Sequence, residues 1–247
     1  MTDTYYKKAN DVRLPIKIYE AKSDTLVLTI HGGAWYAIKE DSDQWDGGWM
    51  NFHAQYYNEK GFNAAAISYR DINLDEATTV FDLIDDCRDA VKFLKERIDF
   101  KKLIIMGDSA GAHLAVMLGF DEEINADIII AANPVVDLTH PSWQHTAKSK
   151  DDYIKASPLF NIKKTNTQFL VLHGDCDKTV DISTSVEFCK KMQEAENDCT
   201  FIEIKGAPHA FILSGYVSTD EEVIKYMKIV DDYLKVKEER CCFKSGR

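Results

Sequence analysis

Five residues constrain this chain more than any others: Gly107-Asp108-Ser109-Ala110-Gly111. Ahead of them runs Lys101-Lys102-Leu103-Ile104-Ile105-Met106, a short apolar run that reads as a buried strand. Behind them runs Ala112-His113-Leu114-Ala115-Val116-Met117-Leu118, small and apolar, which reads as a helix. A G-x-S-x-G set between a strand and a helix is a nucleophile elbow. The serine sits on a sharp, strained turn with its hydroxyl pushed out over the sheet edge. The positions two before and two after it pass close to each other, so only a hydrogen side chain fits there. The helix that begins at the turn aims its N-terminus at any negative charge that develops.

The rest of the pattern supplies the sheet that such an elbow needs. Apolar runs at 14–20, 25–30, 62–69, 127–132, 168–173 and 200–205 read as strands, several of them continuous enough to be buried on both faces. Helices are predicted over 51–59, 79–97 and 182–195. A last helix opens at the capping box Thr219-x-x-Glu222. Val80, Ile84, Cys87, Val91 and Leu94 recur at helical spacing, with Asp82, Asp85, Asp86, Arg88, Asp89 and Lys92 on the other face. Strands that alternate with helices predict an α/β fold with a doubly wound, mostly parallel sheet. No repeat or boundary divides it, so residues 1–247 read as one domain. The acidic, Trp-rich stretch 36–50 and the aperiodic stretch 133–165 read as loops that cover the site, and 241–247 as a frayed tail.

Charge and cysteine usage exclude several function classes. A net charge of −11 with no basic cluster disfavours nucleic acid and anionic membranes. No run approaches a membrane span, and the first residues lack the apolar core of a signal peptide. The expected location is therefore cytoplasmic, and the six cysteines, scattered without metal-ligand spacing, are expected as reduced thiols.

A serine hydroxyl needs a base within hydrogen-bond reach, and the base needs an anion to fix its tautomer. Of the seven histidines, only His209 lies in a late loop after the last strand, in Gly206-Ala207-Pro208-His209-Ala210-Phe211. The run His173-Gly174-Asp175-Cys176-Asp177 follows a buried strand and offers two carboxylates, Asp175 and Asp177, which position alone does not separate. His31-Gly32-Gly33 ends another buried strand. Attack on an ester makes an oxyanion that needs backbone N–H donors, and glycine lets the backbone come close. Gly32 or Gly33 N–H and Ala110 N–H are the expected donors. His31 and His113 read as bracing residues rather than catalytic ones. Asp137, His140 and His145 lack ligand spacing, so no metal is expected, and hydrolysis by a serine needs no organic cofactor.

Taken together, His31-Gly32-Gly33-Ala34-Trp35, Gly107-Asp108-Ser109-Ala110-Gly111 with His113, His173-Gly174-x-x-Asp177-x-x-Val180 and Pro208-His209-Ala210-Phe211 resemble the serine hydrolases of the α/β-hydrolase fold. The resemblance is to the small carboxylesterase and acetylesterase-like group with an HGG oxyanion motif. It implies a catalytic set of Ser109, Asp177 and His209, and so selects Asp177 over Asp175. The chain departs from the family at Ala112, where Gly is frequent, and at Asp181, where Pro is frequent. The large helical cap of hormone-sensitive-lipase-like relatives is absent from the pattern, which argues against lipid-like substrates. The implied activity is hydrolysis of a small ester with a short acyl chain, an acetylated sugar among the candidates. Trp35, Trp45, Trp49 and Trp143 lie in or beside the covering loops as candidate substrate-stacking residues. The alternatives are an amidase or peptidase of the same fold, since kynurenine formamidase-like enzymes resemble the chain at the HGG-x-W motif, and a non-catalytic hydrolase-fold binder. Oligomeric state has no signature in the sequence.

Overall fold

A computed structural model describes residues 1–9, 11–38 and 48–244, the last seven of these by their helical backbone alone. Among the described residues there are eight strands, β1 (Thr2–Ala9), β2 (Val12–Tyr19), β3 (Thr25–Ile30), β4 (Asn63–Ile67), β5 (Lys102–Asp108), β6 (Ile128–Ala132), β7 (Gln168–Gly174) and β8 (Cys199–Ile204). They form one sheet in the order β1-β2-β4-β3-β5-β6-β7-β8. The pairs β1/β2 and β2/β4 are antiparallel, and from β4 to β8 every pair is parallel.

The helices are α1 (Asn51–Glu59), α2 (Val80–Lys95), α3 (Ala110–Gly119), α4 (Lys150–Ala156), α5 (Ile182–Glu194) and α6 (Asp220–Lys244). Because strand side chains alternate, each central strand feeds two cores. Leu26, Leu28, Ile105, Ile129 and Phe169 face α2, α3 and α5 on one side. Val27, Ile104, Met106, Ile130 and Leu170 face α1 and α6 on the other. The sheet is thus wound on both faces, as its apolar runs predict.

Three elements differ from the sequence pattern. β1 has no apolar run, yet it pairs with β2 along its length, burying Tyr6 and Ala9 on one side while its other residues meet solvent. α4 lies inside the stretch expected as loop, capped by Ser149, whose Oγ accepts from Asp152 N–H. The helix α6 carries on through residues 241–244, which the pattern gives to a frayed tail; 245–247 lie outside the described residues. The capping box at its start forms as expected, with Thr219 N–H donating to Glu222 at 2.8 Å.

The chain enters the sheet interior at β3, adds β4 on one side, then crosses to add β5 on the other. The carboxyl ends of β3 and β5 therefore border a switch point, where an open α/β sheet leaves a crevice. His31 and Ser109 follow those two strands directly.

Candidate active site

Ser109 stands between β5 and α3 with φ 53° and ψ −117°, a backbone region that residues with a Cβ seldom occupy. Its N–H donates to Ala132 O at 2.9 Å, which ties the turn to β6. The two glycines of the motif are required by different neighbours. A Cβ on Gly107 would lie 2.3 Å from Gly111 O, so the first turn of α3 passes directly over the end of β5. A Cβ on Gly111 would lie 2.2 Å from Ile30 O and 2.4 Å from His31 O, so α3 also seats against the end of β3.

His209 reaches this serine from the loop after β8. Its Nε2 lies 2.9 Å from Ser109 Oγ, and its Nδ1 lies 2.7 Å from Asp177 Oδ2. The Asp177 side chain is fully buried. Burial alone would raise its carboxyl. Hydrogen bonds from His173, His209, Val180 N–H and Thr179 N–H outweigh that and hold it well below the usual carboxylate range. For His209, burial favours the neutral ring, but Asp177 and the charge of Asp108 raise its pKa overall. Asp175, the other candidate, is exposed and accepts from Gly206 N–H at 2.6 Å, so it ties down the turn that leads to His209 rather than touching the ring.

The loop after β3 is held from a distance. Gly33 (φ +94°), Ala34 (φ 51°) and Trp35 (φ 65°) form a left-handed run that folds the chain back. A Cβ on Gly32 would lie 2.8 Å from Asp108 O and 3.2 Å from Ser109 Cβ, so the loop backbone presses against the elbow. Tyr69 Oη donates to His31 O at 2.9 Å and to Gly32 O at 3.2 Å. His31 Nδ1–H donates to Gly32 O at 2.7 Å, while its Nε2 accepts from Ser68 Oγ at 3.0 Å. The His31 ring stacks on Tyr69 at 4.5 Å, and burial lowers its pKa to about 4, so it stays neutral. In a trans peptide the C=O and the following N–H point opposite ways. Anchoring the carbonyls of His31 and Gly32 therefore aims the N–H groups of Gly32 and Gly33 away from those anchors. Ala110 N–H opens α3 and, as a first-turn donor, has no partner within its own helix.

The buried Asp108 carboxyl, 1% exposed, adjoins both loops. Burial pushes it up to about 7, against the opposing pull of His209. Its Oδ1 has no hydrogen-bond partner among the described residues, nor does Asn133 Nδ2 beside it. The motif contains Asp108, but Ser68, Tyr69 and Asn133 carry no sequence mark beyond their place after strand ends.

The four tryptophans separate. Trp35 is fully buried; its Nε1–H donates to His113 Nδ1 at 3.2 Å, and His113 Nε2–H donates to Ala156 O at 2.8 Å. Trp35 is therefore a packing residue without a face for a substrate, contrary to the expectation from its loop position. Trp49 lies against Gly33, where a Cβ would meet its ring at 2.9 Å, and stacks on Tyr216 at 5.6 Å. Trp143 packs edge-on against Trp35 and lines a cleft of about 370 Å³ with Asp137, His140, Lys178 and Thr179. Trp45 lies outside the described residues. His140 and His145 are engaged apart, the first capping the turn at Pro141–Trp143 and the second stacked on Tyr36.

A family model, BD-FAE, matches residues 11–137, a span that holds the glycine-rich loop after β3 and the whole elbow. The chain belongs to the BD-FAE family. No curated protein matches it. Among solved structures, the native esterase Est2 of the planctomycete Thermogutta terrifontis superposes with a TM-score of 0.78 at 22% identity, covering 94% of this chain and 91% of that one. The same esterase 2 phosphonylated by cyclosarin gives a TM-score of 0.80 at 22% identity, covering 96% and 93%. Its propionate-bound form gives 0.78 at 22% identity, covering 94% and 93%. This BD-FAE chain thus has the α/β-hydrolase fold, without a large cap among its described residues. No helix among them is long and apolar enough to cross a membrane, and no group of three or more His, Cys, Asp or Glu is placed to hold a metal ion.

Proposed function

We propose that this protein is a serine hydrolase that cleaves small carboxylic esters through an acyl-enzyme. The observation that carries the reading is the continuous relay from Ser109 Oγ through His209 to Asp177, at 2.9 and 2.7 Å. Ser109 Oγ attacks the ester carbonyl while His209 Nε2 takes its proton. Asp177 holds the ring in the tautomer with its proton on Nδ1 and stabilises the imidazolium that forms. The oxyanion is received by the N–H of Gly32 or Gly33 together with that of Ala110. Each such donor contributes about 2.7–4 kcal/mol to the barrier reduction. His209 then protonates the departing alcohol, and water, activated by the same ring, releases the acid.

The short acyl preference draws support from the Thermogutta terrifontis esterase 2, which has been solved with propionate and with butyrate bound. That esterase is also phosphorylated by paraoxon, so organophosphate reactivity is the matching expectation here. An acetylated sugar is the candidate substrate, its sugar half received by Trp143 and the polar side chains of its cleft.

The test is labelling with a fluorophosphonate, wild type beside Ser109→Ala and His209→Ala, followed by aryl esters of increasing chain length with formyl-amide and peptide substrates in the same panel. Labelling lost in both variants and rates that peak at two to four carbons support the reading. An unlabelled wild type sinks it, and faster cleavage of the amides moves the protein to the amidase class.

A further inference from the structure

The side of the sheet away from the crevice holds a pair of thiols that the proposed hydrolysis does not use. Cys189 on α5 and Cys199 at the start of β8 are both buried, and their Sγ atoms lie 3.2 Å apart. Both are free thiols. Their backbones are fixed independently of the sulfurs. Gln193 Nε2 donates to Cys199 O at 2.9 Å, clamping α5 to the first residue of β8. Asn197 N–H donates to Met192 O at 2.8 Å, and Phe169 N–H donates to Asp198 O at 2.8 Å, so the α5–β8 turn is pinned to the helix and to β7. A disulfide needs an S–S distance of about 2.05 Å. Two side chains that share an approach of roughly 1 Å reach it by small χ adjustments within this frame.

We propose that Cys189 and Cys199 are a latent disulfide site, which a small peroxide converts into a cross-link between α5 and β8. The chemistry closes without another reactant. One thiol, as thiolate, attacks hydrogen peroxide; a sulfenic acid forms and water leaves. The second sulfur attacks the sulfenic sulfur, the S–S bond forms, and a second water leaves. The two thiols lose two electrons and two protons, and the peroxide accepts both. The hydrogen bond from Cys199 and burial push the Cys189 thiol up, so thiolate is scarce and the reaction is slow. Once a sulfenic acid forms, its resolving thiol is already in contact. The site is thus a slow structural staple rather than a rapid sensor.

The consequence concerns stability rather than the reacting atoms. α5 follows the Asp177 loop, and β8 leads to His209, so the staple joins the two elements that carry acid and base. It does so at the start of β8, whereas His209 lies beyond the end of that strand. The oxidised protein is expected to melt about 5–10 °C higher while hydrolysing esters at the same rate at 25 °C.

The experiment treats the folded protein with hydrogen peroxide, blocks free thiols and digests with trypsin without reduction. The expected product joins peptide 179–190, which holds Cys189, to peptide 192–205, which holds Cys199. Its appearance coincides with the rise in Tm, and a reductant reverses both. Exposed Cys176 reports that the oxidant has acted. If Cys176 is oxidised while Cys189 and Cys199 are each recovered as blocked thiols, the proposal fails. If the joined peptide forms but the Tm does not rise, the staple is not a stabilising one and the proposal fails in that part. Cys199→Ser, melted before and after peroxide, is expected to show neither change, and the wild-type peptide map stands without it.

Discussion

The loop after β3 presses its backbone against the elbow and the loop after β7 presents the Asp177 carboxylate to His209, and the two are held in opposite ways. The β7 loop folds around its own carboxylate, with Asp175 and Cys176 tying it to the segment after β8. Asp177 Oδ1 accepts from Thr179 N–H at 2.8 Å and Val180 N–H at 2.9 Å, so one carboxylate folds its own turn and presents Oδ2 to His209. The β3 loop cannot hold itself. Its left-handed run is braced by Ser68 and Tyr69, which follow β4: the Tyr69 hydroxyl and the His31 ring anchor its carbonyls, and the Ser68 hydroxyl holds the far side of that ring. A locally folded loop tolerates distant change and fails when its one carboxylate is altered. A remotely braced loop fails gradually as its supports are removed one at a time.

The largest test of this contrast is Asp177→Asn. The amide oxygen still accepts the two N–H groups of its turn, so the loop persists while the anion is lost. A fall in kcat of about 10⁴ is expected, with circular dichroism unchanged. Asp175→Asn, one turn position away, is expected to stay within threefold. Equal losses in the two variants would mean that the loop fold, not the anion, is what matters. Next comes Gly32→Ala, whose Cβ meets Asp108 O at 2.8 Å and Ser109 Cβ at 3.2 Å. Displacing one oxyanion donor costs about 10²–10³ in kcat with little change in KM. Tyr69→Phe is smaller. It removes one hydroxyl that holds two carbonyls and keeps the ring on His31. A tenfold loss in kcat, about 1.4 kcal/mol, is expected at constant KM. If Tyr69→Phe were silent, the β3 loop would be as self-sufficient as the β7 loop.

The same contrast explains what the sequence made legible. The parallel strands appear as apolar runs because burial on both faces leaves no polar alternation to confuse them. The motif residues Ser109, Asp177 and His209 follow such runs, and the relay distances bring them together. β1 is not legible because an edge strand needs only Tyr6 and Ala9 inward, too few for a period. α4 is not legible because its cap, Ser149 with Asp152, has no apolar stripe behind it. Trp35 reads as a loop residue because it stands outside any periodic apolar run. The left-handed run from Gly33 to Trp35 turns it inward onto His113, a contact that no local pattern encodes. The bracing role of Tyr69 is hidden for the same reason.

The smallest effect is also the one that separates charge from packing. Asp108 sits where the two loops meet, and its charge is one of those that raise the pKa of His209. Catalysis needs His209 neutral, so an anionic neighbour moves the acid limb of kcat/KM to higher pH. Asp108→Asn keeps the shape and removes the charge; the limb is expected to move to lower pH, as a single ionisation rather than a coupled pair. Stability gives an independent check. Burial raises the Asp108 carboxyl from 3.8 to about 7, so the folded state holds this proton where the unfolded chain has released it. The stability that the protonated group contributes is complete below about 4 and is lost as pH rises toward 7. The Tm of Asp108→Asn minus that of wild type should therefore grow across that window and level off above it. A difference that does not vary with pH would leave Asp108 as a packing residue, and the two loops would then meet without an electrostatic link.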